Sequence, residues 1–84
     1  MELIYVVYDH KEYDDLLTVT KDIKKAIDIF IENQTYLEVW SDSERLFECG
    51  CTHEEGIYRC YKYNKEVYSE LSKYLNFDNS NTPL

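Results

Sequence analysis

The apolar period of this chain changes at Thr20, Asn33 and Asn64, and those changes divide it into strands and two helices. Leu3-Ile4-Tyr5-Val6-Val7-Tyr8 is an unbroken run of apolar, β-branched and aromatic residues. Such a run predicts a strand that is covered on both faces or central in a sheet. Residues 9–15 are a polar, acidic connection, and Leu16-Leu17-Thr18-Val19 predicts a hairpin partner for the first strand. From Thr20 the period lengthens. Ile23, Ala26, Ile27 and Phe30 recur at helical spacing, with Ile31 beside them and Ile29 off the main stripe as a semi-exposed contact. Thr20 is the expected cap of a helix over residues 21–33, with Asp22 favourable near its positive pole and Asn33 as the stop.

Alternation returns at residues 36–40, which predict a strand ending at Trp40, and residues 41–44 read as a turn. A fourth strand spans residues 45–51, with Phe47, Cys49 and Cys51 on one face; a fifth spans residues 57–63 after a turn at 52–56. Asn64 is positioned to cap a second helix over residues 65–75, whose stripe is Val67, Leu71, Tyr74 and Leu75. The order β-β-α-β-β-β-α implies an α+β fold: one small domain, residues 1–76, with a mainly antiparallel sheet. Its helices cover one face and leave the other more polar. Residues 77–84 are expected to be a frayed tail.

Size and charge narrow what such a domain does. A chain of 84 residues buries about 60–65% of its unfolded surface, enough for one thin core, so a binding face is easier to build than an insulated catalytic cleft. Seventeen acidic residues against nine basic ones give a formal charge of −8. That charge disfavours direct contact with nucleic acid or an anionic membrane and favours a basic partner. Asp9, Glu12, Asp14 and Asp15 cluster in the first connection, and Glu38, Asp42, Glu44, Glu48, Glu54 and Glu55 decorate the strands and turns between residues 36 and 63. The alternative use of these carboxylates is solvation alone. Trp40 and Tyr58 are candidate contact residues of such a surface, with core packing as their other use. Residues 57–65 are the one cationic stretch, with tyrosines interleaved among Arg59, Lys62 and Lys65. The pattern could stack single-stranded bases, against the charge of the whole chain.

The other chemistry-bearing residues are Cys49, Cys51, His53 and Cys60. Thiolates and imidazole are zinc ligands, and these four fall on one predicted hairpin. Residues 49, 51 and 53 on one strand stand about 6–7 Å apart at each step, too far for one ion unless Gly50 bends the chain. Buried packing is the simpler use of the cysteines. A Cys–His nucleophilic pair would lack an orienting group. No cofactor and no enzymatic activity are expected. Three cysteines, without a basic N-terminal region or an apolar segment long enough to cross a membrane, suggest reduced thiols and a cytoplasmic location.

The opening Ile4-Tyr5-Val6-Val7-Tyr8, the acidic link, the short second strand and Thr20-Lys21-Asp22-Ile23-Lys24-Lys25-Ala26 resemble a recurrent design. It is similar to small uncharacterised proteins of phages and low-GC Gram-positive bacteria, over about the first 33 residues. The resemblance implies the start of the fold and a phage or mobile-element setting, and assigns no catalytic residues. By analogy of size and acidity with phage inhibitors of bacterial immunity such as anti-CRISPR proteins, the expected function is occlusion of a basic surface. That surface would belong to a host nucleic-acid-processing protein. The competing expectation is a metal-binding or homo-oligomeric structural domain built around the Cys/His hairpin.

Overall fold

A computed structural model describes residues 2–9, 15–52 and 54–78. Six strands and two helices follow in the order β1 (Ile4–Asp9), β2 (Asp15–Thr20), α1 (Ile23–Asn33), β3 (Tyr36–Ser41), β4 (Glu44–Cys51), β5 (Ile57–Lys62), α2 (Lys65–Leu71) and β6 (Asn76–Phe77). They form one sheet in the spatial order β2-β1-β3-β4-β5-β6. The α+β fold with a mostly antiparallel sheet is as the sequence predicts. The apolar run of β1 is indeed internal, flanked by β2 and β3.

Two connections set the layering. α1 carries the chain from β2 across β1 to β3, and α2 carries it from β5 back to β6, which pairs parallel to β5. Parallel neighbours require such a crossover, because a tight turn reverses direction. Tyr5 and Val7 of β1, Leu37 and Val39 of β3, Phe47 and Cys49 of β4 and Tyr58 and Cys60 of β5 are buried with Ala26, Ile27 and Phe30 of α1 and Val67 and Leu71 of α2. Alternation along each strand therefore sends one set of side chains to the helices and the other to an open face.

Several sequence expectations are corrected. Asp22, not Thr20, caps α1: its carboxylate accepts from the backbone N–H groups of Lys24 and Lys25, while the Thr20 hydroxyl accepts from the Asp22 N–H. Ile29 is half-buried against the core, the semi-exposed contact expected of it, whereas Ile31, expected beside the stripe, is exposed. On a helical wheel both lie beside the apolar stripe on opposite sides, so the tilt of the helix on the sheet decides between them. α2 ends at Leu71; a turn follows, with Tyr74 exposed and Leu75 back in the core. Residue 77, placed in the frayed tail, is instead in β6. Phe77 packs on Phe47 and Tyr68, with ring centroids 5.9 and 4.8 Å away, and the Asp78 N–H donates to the Tyr58 carbonyl at 2.7 Å.

Candidate functional site

The open face of the sheet, expected to be the more polar one, carries charged side chains together with a row of tyrosines. Tyr8 of β1, Tyr36 of β3 and Tyr61 of β5 form a row across four strands, with ring centroids 5.6 and 6.1 Å apart. Gly50 of β4 lies beneath it. A Cβ there would come within 2.8–2.9 Å of the Tyr36 and Tyr61 rings, so the row closes over β4 because residue 50 has no side chain.

Below the row lies a charged network. Glu38 and Glu48 are direct cross-strand neighbours on β3 and β4, with side chains only 17% and 15% exposed. Like charges so placed repel unless donors surround them. Here Arg45 donates to Glu38 at 3.1 Å and to Glu48 at 3.3 Å, the Trp40 indole N–H donates to Glu38 at 3.0 Å, and the Tyr8 hydroxyl donates to Glu48. Burial, then the bond to Glu48, hold the Tyr8 phenol far above its ordinary pKa. The bond to Glu38 is the main cause that raises the Arg45 guanidinium. Strict alternation would aim Arg45 at the helices. The pairing of β3 with β4 slips between Val39↔Phe47 and Trp40↔Arg45, leaving Leu46 as an extra residue. That bulge turns Arg45 onto the open face opposite Trp40. No pattern within β4 alone signals it.

Each candidate contact residue now has a place. Trp40 is half-buried on the open face, outside the core. Tyr58 is buried against Phe30, ring centroids 5.2 Å apart, and does not belong to the exposed surface expected of it. Asp42 and Glu44 are exposed in and beside the β3–β4 hairpin turn. Glu54 and Glu55 are exposed in the β4–β5 turn. Glu12 and Asp14 lie outside the described residues, as does His53, while Asp9 and Asp15 are paired positions at the ends of β1 and β2.

Strand direction sorts these acids. Tyr8 pairs with Tyr36, Tyr36 with Gly50, and Gly50 with Arg59, so the last residue of β1, the first of β2 and the β4–β5 turn share one end of the sheet. Asp9, Asp15, Glu54 and Glu55 therefore occupy a common end, with the turns two to three strand spacings apart, about 10–14 Å. The C-terminus of α1 points the same way, with Glu32 exposed and no basic residue in its last turn, so the negative pole of the helix adds to the same field. Among the described residues the one cation near this end in an ion pair is Lys73, bound to Glu70 at 3.0 Å. Asp42 and Glu44 lie at the opposite end, where β2 closes and α2 begins.

The cysteines sit on the helix-facing side. Cys49 and Cys60 are buried cross-strand partners and Cys51 is half-buried. Burial raises all three thiols, Cys60 to about 11, so they are protonated at neutral pH. The Cys60 thiol donates to the Lys62 carbonyl at 3.3 Å. Among the described residues no group of three or more His, Cys, Asp or Glu side chains is arranged to hold a metal ion. Nor is any helix among them long and apolar enough to cross a membrane. The chain matches no known protein family, no curated protein and no solved structure.

Proposed function

We propose that this chain is a non-enzymatic binding protein that docks onto a basic protein surface and displaces the nucleic acid held there. The observation that carries this reading is the convergence of Asp9, Asp15, Glu54, Glu55 and the C-terminal pole of α1 on one end of the sheet. Carboxylates fixed along a rigid edge reproduce the charge of a phosphate backbone, and docking releases counterions as nucleic-acid binding does. The adjacent tyrosine row supplies contact area of the residue type enriched in interface hot spots. Exposed Tyr61 and half-buried Tyr8, Tyr36 and Trp40 form that area. The partner in this reading is a nucleic-acid-processing protein of a host cell, met in its cytoplasm, and a phage inhibitor of host defence is the setting.

The test is affinity capture on the immobilised chain, followed by kinetics with the purified partner. The expected association rate falls steeply as salt rises, because the screening length drops from about 10 Å at 0.1 M to about 3 Å at 1 M. Nucleic acid should compete for the same partner surface. Glu54→Lys with Glu55→Lys should slow association while the circular dichroism spectrum stays unchanged. An association rate indifferent to salt and to this double reversal overturns the reading.

A further inference from the structure

We infer that β2 is a self-association edge, through which two copies of this chain join their sheets. β2 ends the strand order, so one side of its backbone has no sheet neighbour among the described residues. Natural edge strands are blunted by shortness, lysine, proline or a bulge. The opposite edge, β6, has two residues. β2 has six, and from Leu16 to Thr20 it carries neither charge nor proline. Its apolar side chains face water: Leu16 is 60% exposed and Val19 54%. A bulge at Leu17, where the pairing steps from Val7↔Thr18 to Tyr8↔Leu16, is its one blunting device among the described residues.

The strand favours a second copy over other strand donors because its charges are self-complementary. Asp15 begins it and Lys21 follows its end. In an antiparallel pair related by a two-fold axis near Thr18, position 15 of each copy stands opposite position 21 of the other, an acidic residue against a basic one. Among the described residues Lys21 makes an exposed ion pair to Glu2 at 3.2 Å, the kind worth least to stability. The pairing buries Leu16 and Val19 and satisfies both edges at once. It stops at two copies, since the β6 edge is too short to continue it.

The charge of −8 on each copy opposes this contact, so screening promotes it. Its salt dependence is thus opposite in sign to that of docking on a basic partner, and either proposal can fail alone. The test is sedimentation equilibrium of the full chain from micromolar to millimolar concentration, in low and high salt. A dimer that tightens with salt is expected. Val19→Lys, at an exposed position, should shift the protein to monomer with an unchanged circular dichroism spectrum. Asp15→Lys should weaken the dimer, and adding Lys21→Asp should restore it. A monomer at millimolar concentration in high salt, a dimer indifferent to Val19→Lys, or growth into larger polymers overturns the inference.

Discussion

Gly50 is where a single absent side chain shapes the open face. With Tyr36 and Tyr61 carbon atoms 2.8–2.9 Å from where a Cβ would sit, Gly50→Ala must push the two rings apart. Overpacking of this kind costs about 1–3 kcal/mol, and urea unfolding should show it. Part of the cost should vanish in a Tyr61→Ala background, since one of the two obstructing rings is then gone. The thiols and phenols give a second residue-scale expectation. Burial raises Cys49, Cys51, Cys60, Tyr5, Tyr8, Tyr58 and Tyr61 in the folded chain. A group held above its unfolded value gives stability that is fully present below that value and is lost as pH rises through the folded one. The unfolded thiols ionise near 9.0 and the phenols near 10.0. Stability should therefore be level on this account through neutral pH and fall above pH 9, with Cys60 losing its share by about 11. Urea midpoints measured across that range decide it; a level profile up to pH 11 contradicts the assignment. In the native state Cys51 should react with a thiol reagent before Cys49 and Cys60 do.

At the scale of elements, the strands and helices were legible wherever their own side chains set the period. β1, β3 and α1 are examples: an apolar run, a strict alternation and a stripe at helical spacing each identify themselves. β6 was not legible, because two residues have no period and pair only where α2 returns the chain beside β5. The bulges at Leu17 and Leu46 were hidden for a related reason, since a bulge is a property of a strand pair. The network of Glu38, Arg45, Glu48 and Tyr8 hangs on the second of them, so a strand-by-strand reading could not assemble it. The β3–β4 turn shows the opposite case, in which local chemistry is readable and imperfect. Asp42 and Ser43 both have positive φ, 49° and 68°, between the paired residues Ser41 and Glu44. Two-residue hairpin turns of this kind favour glycine in the second place. Ser43→Gly should stabilise the domain by about 1 kcal/mol in thermal or urea unfolding. Asp22→Ala should destabilise it by a similar amount, about 1 kcal/mol, through the lost cap of α1.

On the whole molecule, the acids were visible as residues but their grouping was not. Asp9 and Glu54 are far apart in the chain, and only the directions of β1, β3, β4 and β5 bring their turns to one end of the sheet. The same directions send Asp42 and Glu44 to the other end. The charge is thus unevenly spread, and the described chain holds few ion pairs that offset it at the acidic end. Self-repulsion of this sort destabilises the compact state, and salt relieves it. The melting temperature should rise with added sodium chloride, at a protein concentration low enough to keep the chain monomeric. Glu54→Lys with Glu55→Lys removes repulsion at that end directly. The double variant should melt higher than the parent in low salt and gain less from added salt, so that the two curves converge as salt rises. If the parent's melting temperature falls with salt, attractive pairs such as those of Arg45 with Glu38 and Glu48 outweigh the repulsion, and the acidic end is not a source of strain.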